Sequence, residues 1–444
     1  MKPNVIFFFT DQQRYDTTGM ACNPCNLTPN FDRMAAYGTY AEYAFTPQPV
    51  CGPARAALQT GKYATTTGNY KNGIPLPREH KTMADYFNDA GYDTGYIGKW
   101  HLAEGKHAVT EEHRGGYRWW LGANSLEHTS TAYDTLVYDN ENHPVHLPGY
   151  RVDALTDAAI RFINEKQHSD KPFFLFLSFL EPHFQNCYDD FPAPDIYRNL
   201  PAGYMPPDLG ALKGTAWEHL SGYYGMVKRL DEALGRIRDV LKSLKIEKET
   251  ILVFSSDHGC HFKTRNQEYK RSCHESSIRI PLAFYGSAFT GGGRIQEKVS
   301  LVDLAPTLLD ACGLPVPRDM QGQSIMPLVR REETELRSRD IFIQISESQV
   351  GRAIRTDRWK YSVEAPDRDP VHDAGSPEYT EAFLYDLEHD PYELHNLIHS
   401  KAHEEICIVL AEKLKKCMAE AGEPIPAIRH VEKEKIGQLT LYPS

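Results

Sequence analysis

Two patterns alternate along the chain. Short, almost wholly apolar runs recur at residues 5–9, 173–179, 251–255 and 281–285, and residues 93–98 read as a further strand. Runs of that length with no polar alternate face predict strands covered on both sides, as in a parallel sheet. Between them the apolar spacing widens. Leu220, Tyr224, Val227, Leu230, Leu234, Ile237, Leu241 and Leu244 step by three and four, which predicts one long amphipathic helix. Thr28 before Pro29 predicts a helix capped by that threonine and ending near Gly38; residues 304–311 predict another, stopped at Gly313. The alternation gives an α/β fold with a mostly parallel central sheet flanked by helices. The pattern changes after Arg330. Residues 331–339 read as a charged linker, 341–345 and 359–363 as short strands, followed by a polar loop with Pro370, Gly375 and Pro377. A final helix carries Ile406, Leu410, Leu414 and Cys417 on one face and ends at Gly422. The expected organisation is a large α/β domain over residues 1–335 and a smaller C-terminal α+β domain over 336–444.

Polar residues fall where the expected strands stop. Residues 5–9 lead into Asp11-Gln12, 93–98 into Lys99-Trp100-His101, 173–179 into Glu181-Pro182-His183 and 251–255 into Asp257-His258-Gly259. Ligands of open α/β sheets bind outside the carboxyl ends of the strands, and core packing does not call for four such ends. Lys99 and His101 are two apart, so both can face one side.

The segment Cys51-Gly52-Pro53-Ala54-Arg55, running to Thr60-Gly61, reads as a short helix with a nucleophile at its start. Pro53 suits a first helical position and Gly61 the residue past the end. The helix N-terminus welcomes an anion, and Arg55 adds a planar fork of donors shaped for sulfate or phosphate oxygens.

This segment resembles the signature of the type I sulfatases of the alkaline phosphatase superfamily, Cys-x-Pro-x-Arg followed by a helix ending in Thr-Gly. A tyrosine-phosphatase loop fits poorly, because it needs more residues between cysteine and arginine. The resemblance implies that a formylglycine-generating maturation enzyme oxidises Cys51 to Cα-formylglycine, whose hydrated aldehyde is the nucleophile. It implies a metal site from Asp11, Gln12, Asp257 and His258, completed by the residue 51 oxygen; Gln12 departs from the commoner Asp and removes one negative charge, the oxygen ligands favour Ca²⁺ first and Mg²⁺ next, and the imidazole of His258 leaves Mn²⁺ open. It implies that Lys99 and His101 touch the sulfate and formylglycine oxygens and that His183 lies on the leaving-group side. Lys270, before Glu275, matches a family lysine, although His274 stands where tyrosine is usual. The C-terminal segments 356–361 and 384–393 resemble the family's small domain. The expected reaction is hydrolysis of a sulfate monoester. Residue 51, assisted by the metal and Asp257, attacks sulfur in line. Arg55, Lys99 and Lys270 offset the charge, and His183 or Lys270 protonates the leaving oxygen. His101 then takes the proton of the second hydroxyl as sulfate departs.

Composition narrows the partners. The chain has 444 residues, 49 Lys plus Arg against 60 Asp plus Glu, and a net charge of −11. That balance argues against a nucleic-acid partner and leaves anion capture to a local basic pocket. The 5–9 run is too brief for a signal peptide and nothing reaches membrane-spanning length. With nine cysteines in no regular framework, a cytoplasmic location is expected. Residues 104–150, with Trp119, Trp120, His128 and Tyr133, offer aromatic faces for a sugar, steroid or aryl group. A carbohydrate sulfate ester, small or oligosaccharide, is the favoured substrate. Three alternatives stay open: a phosphonate or phosphate ester hydrolase, a non-catalytic anion-binding protein with unmodified Cys51, and a structural zinc site from Cys22, Cys25, Cys260-His261 and Cys273-His274.

Overall fold

A computed structural model describes residues 2–198, 200–334, 336 and 339–434. Eleven strands form the larger sheet: β1 (Asn4–Thr10), β2 (Thr39–Phe45), β3 (Asp93–Lys99), β4 (Trp119–Ala123), β5 (Asp134–Tyr138), β6 (Pro144–Pro148), β7 (Phe173–Ser178), β8 (Thr250–Ser256), β9 (Arg279–Ile280), β10 (Leu282–Tyr285) and β11 (Gly293–Ser300). The order is β11-β2-β10-β8-β1-β7-β3-β4-β5-β6, with β9 paired to β2. Strands β8, β1, β7, β3 and β4 run parallel, so their carboxyl ends share one edge.

The apolar runs are strands because both faces are covered. Val5, Phe7 and Phe9 enter one core and Ile6 and Phe8 the other. Helices α1 (Pro29–Tyr37), α3 (Arg151–Lys166) and α4 (Ala216–Ser243) cover the Ile6 and Phe8 face, while α2 (Cys51–Thr60) and α5 (Leu304–Ala311) cover the other. Each fully buried large apolar side chain contributes about 1.5–3 kcal/mol, which makes β1 the spine on which the other strand ends are aligned.

Local signals differ in two places. Helix α2 begins at Cys51 itself, with Val50 before it, so Pro53 is the third helical residue rather than the first. Gly61 ends the helix as expected, at φ 68°, a left-handed conformation that glycine adopts without strain. Thr28 does not cap α1; its hydroxyl accepts from the Gly19 N–H, and the free N–H groups of Asn30 and Phe31 donate instead to Asp231 on α4 (3.0 and 2.7 Å). The first turn is thus capped by a distant helix, which sequence spacing alone does not reveal.

The second sheet, β12 (Ile341–Ile345), β13 (Gly351–Arg355), β14 (Trp359–Glu364), β15 (Glu378–Asp386) and β16 (Ala427–Arg429), is antiparallel apart from β16. Helix α6 (Glu404–Glu420) packs on it through Cys407, Leu410, Ala411, Leu414 and Met418. The fold is therefore a mixed α/β unit with a separate smaller C-terminal sheet domain. The expected boundary at residue 335 lies outside the described residues. A buried ion network joins the two parts: Lys360 Nζ lies 2.8 Å from Glu275 and 2.6 Å from Glu393. Among the described residues no helix is long and apolar enough to cross a membrane.

Candidate active site

The shared carboxyl edge gathers the strand ends tightly. Asp257 N–H donates to Thr10 O (3.3 Å) and Asp11 N–H to Glu181 O (3.1 Å), tying β8 to β1 and β1 to the loop after β7. Gln12, at φ 66°, turns so that its N–H donates to Asp257 Oδ1 (2.9 Å). His101 is also left-handed, at φ 63°; such backbone in non-glycine residues is concentrated where function holds it. Gly98 just before Lys99 has to be glycine, because a Cβ there would lie 1.9 Å from Ser178 O.

Cys51 Sγ stands at the centre, where the oxygens of an oxidised residue 51 would be. It is 3.3 Å from His258 Nε2, 3.6 Å from Asp11 Oδ1 and 2.9 Å from Lys270 Nζ. Lys270 Nζ in turn lies 3.0 Å from His183 Nε2. Burial alone would raise the Cys51 thiol, but Lys270, Lys99 and His258 outweigh it and hold the thiol well below its ordinary range. The same cations favour the thiolate over the thiol at Cys51.

Two charge systems flank this atom. On one side Asp11, Asp257, His258 and Cys51 offer ligand atoms all within 4.8 Å of one another, every one buried. The two carboxylates crowd each other: burial and Asp11 push Asp257 up to about 6, while Asp11 stays ionised below its usual range because Lys99, His183 and Arg55 offset its burial. The Gln12 side chain donates to Cys260 Sγ (3.5 Å), and its buried Oε1 has no hydrogen-bond partner among the described residues. Buried carboxylates, an imidazole and an orphaned amide oxygen are the donor set of a hard divalent cation, and the residues fit one. On the other side Lys99 Nζ bridges Asp11 (2.7 Å) and Glu127 (3.0 Å). His183 is held below its ordinary range by burial and then by Lys270, so it is neutral near pH 7 and accepts from the ammonium.

A cavity of about 410 Å³ opens onto this centre, lined by Cys51, His101, Glu127, His183 and Lys270 and by further polar side chains such as Asn186 and Gln267. The family model for sulfatases matches residues 3–314, which span every strand end just described. The chain belongs to the sulfatase family. It is a sulfuric ester hydrolase. A second model, for the C-terminal part of N-sulphoglucosamine sulphohydrolase, matches residues 267–420. The chain is 30% identical to the ulvan-active sulfatase of Formosa agariphila, over 95% of this chain and 82% of that protein. It is 25% identical to the N-acetylglucosamine-6-O-sulfatase of Bacteroides thetaiotaomicron, over 94% and 87%. A solved sulfatase of Bacteroides fragilis shares the fold with a TM-score of 0.83 at 23% identity, covering 96% of this chain and 97% of that one.

Within this sulfatase site one expected role changes. Arg55 is 2% exposed and its fork is already occupied: Nε on Asp257 (3.3 Å), Nη2 on Asp11 (3.0 Å), Nη1 on Lys99 O and Ser178 Oγ (both 2.8 Å). It braces the acidic pair and is not among the residues that line the cavity. Glu127 and Asn72, whose Oδ1 accepts the Gly52 N–H (2.9 Å), belong to the site but carried no sequence signal, since each sits in an irregular polar stretch. The aromatic side chains that line the cavity are Phe184 and Tyr269, not the tryptophans and tyrosine expected from residues 104–150. Trp120 is 1% exposed and stacked on Tyr96, Trp119 packs on Phe162 and Tyr133 on Tyr150; of the four candidates only His128 lines the cavity. None of the metal-capable clusters among the described residues includes Cys22, Cys25, Cys260 or Cys273. His261 and His274 hydrogen-bond Lys270 O (2.9 Å) and the Tyr385 hydroxyl (3.1 Å) instead.

Proposed function

We propose that this sulfatase hydrolyses carbohydrate sulfate monoesters with a formylglycine made from Cys51 and a divalent cation, Ca²⁺ first, with Mg²⁺ or Mn²⁺ as substitutes. The observation that carries the reading is the position of Cys51 Sγ, between an acidic pair with an imidazole and a Lys270–His183 pair in the cavity lining. The polar cavity lining supports a sugar over a flat aryl or steroid group, and the relatives named for ulvan and N-acetylglucosamine 6-O-sulfate support the same class.

Asp11, Asp257 and His258 would hold the cation, with Gln12 Oε1 as a further ligand, and the cation would supply positive charge against the sulfate oxygens. The aldehyde hydrate would supply a hydroxyl to attack sulfur and a second one to release sulfate, which a thiol lacks. The remaining work belongs to side chains. Arg55 keeps the acidic pair in register. Lys270 Nζ carries the proton given to the leaving oxygen, with His183 Nε2 at 3.0 Å to accept and return it. His101, on the cavity wall, takes the proton of the second hydroxyl. The partners of this reading are a sulfated sugar and a maturation enzyme that oxidises Cys51.

The test is inorganic sulfate release from a panel of sugar sulfates and 4-nitrophenyl sulfate, by protein produced with and without a formylglycine-generating enzyme. Release that requires the maturation enzyme and Ca²⁺ is expected. Equal release by the unmatured protein would defeat the reading.

A further inference from the structure

Glu127 lies on the single helical turn Leu126–Thr129 that follows β4, and its side chain is 4% exposed. One carboxylate oxygen, Oε1, is 3.0 Å from Lys99 Nζ and 3.8 Å from His101 Nε2. The other, Oε2, is buried and without a hydrogen-bond partner among the described residues. The residue also lines the cavity beside Cys51, His101 and His183. An ionised carboxylate with a buried, unsatisfied oxygen is costly. Burial would raise it, yet Lys99, then His101 and His183, keep Glu127 ionised down to about 2.

The charges say what can satisfy that oxygen. Lys99 already stands between Asp11 and Glu127, so one ammonium serves two carboxylates and the trio is net negative. A sulfate oxygen is only an acceptor and meets like charge at Oε2. A hydroxyl or ammonium hydrogen meets the missing acceptor. Because Glu127 and Cys51 line the same cavity, the group it meets belongs to the substrate whose sulfate is presented to residue 51.

We infer that Glu127 is a specificity residue that accepts a hydrogen bond from a hydroxyl or amino group next to the scissile sulfate, and that it excludes substrates carrying a second sulfate there. The inference rests on the proposed sulfatase reading. It names the substituent pattern of the substrate rather than its sugar.

The experiment uses full-length, matured protein. The 2-, 3-, 4- and 6-sulfates of methyl glucoside and methyl galactoside are assayed, with 4-nitrophenyl sulfate as a substrate lacking the neighbour. The best sugar sulfate is then compared with its analogue deoxygenated at the nearest hydroxyl and with the corresponding disulfate. The wild type is expected to lose about 10- to 100-fold in kcat/KM on the deoxy analogue, as for a hydrogen bond to a charged group, and more on the disulfate. In Glu127→Gln the ratio between hydroxyl and disulfate substrates is expected to collapse by at least about 10-fold. A role only in orienting Lys99 or His101 would lower all substrates together and leave that ratio standing. Equal wild-type rates on the hydroxyl and deoxy substrates overturn the inference whether or not the variant folds, as does turnover of 4-nitrophenyl sulfate alone. No sulfate release from any substrate defeats the sulfatase reading itself.

Discussion

Arg55→Ala separates bracing of the acidic pair from sulfate binding. The guanidinium is buried and touches Asp257 at 3.3 Å and Asp11 at 3.0 Å. Without it Asp11 keeps Lys99 at 2.7 Å, whereas Asp257 keeps the N–H groups of Gln12 and His258 (both 2.9 Å) and the His258 ring at 3.5 Å. Removing one partner of a buried ion pair costs about 3–5 kcal/mol, a large share of the roughly 5–15 kcal/mol that folds a typical domain. Urea unfolding in EDTA is therefore expected to show that loss. Excess Ca²⁺ is expected to recover most of it, because the cation supplies the missing charge and binds only the folded site. Arg55→Lys keeps the charge but not the fork, so it should fall between wild type and Arg55→Ala. A loss below about 1 kcal/mol in EDTA, the range of an exposed ion pair, would refute the bracing role. So would a loss of the same size with and without Ca²⁺.

Other outcomes follow from the same geometry. Lys270→Ala and His183→Ala should cut kcat about 10²–10⁴-fold on sugar sulfates, the range of general acid catalysis, and much less on 4-nitrophenyl sulfate, whose leaving group needs no proton; equal losses on both would contradict proton donation from this pair. In Cys51→Ser a single hydroxyl allows attack but not release, so the protein should gain the mass of one SO₃ group from substrate, and steady turnover by this variant would contradict the two-hydroxyl scheme. His261 is pushed by burial from an ordinary 6.5 down to about 3. The unfolded chain takes up that proton first, so its contribution is fully present above pH 6.5 and is lost as pH falls toward 3. His261→Gln should flatten stability against pH between 6.5 and 5 by up to about 1.4 kcal/mol per unit, and an unchanged slope would show that the imidazole is not held neutral.

The fold was legible where burial is symmetrical. Strands β1, β7 and β8 are largely continuous apolar runs because both their faces meet core, and their boundaries, like those of β3, differ from the sequence reading by a residue or so. Strand β2, with the run Thr-Tyr-Ala-Glu-Tyr-Ala-Phe, was missed because Glu42 and Tyr43 are only half-buried and break the run. Strand β5 and its neighbour β6 at the sheet edge were missed because exposed positions alternate with covered ones. The site was legible as far as it follows strand ends, which is why Asp11, Lys99, His183 and Asp257 could be named. The direction of Arg55, the presence of Glu127 and the inward burial of Trp120 depend on distant partners, and no local spacing encodes them.

The central claim is that the atom at position 51 becomes an oxygen nucleophile. Trypsin should release residues 34–55 as one peptide, since Arg33 and Arg55 bound a stretch without other basic residues. Its mass is measured in the same preparations whose sulfate release is assayed. The account predicts a peptide lighter by about 18 Da, sulfur and hydrogen lost and oxygen gained, with activity proportional to the converted fraction. Full activity in protein whose peptide still carries cysteine would contradict it.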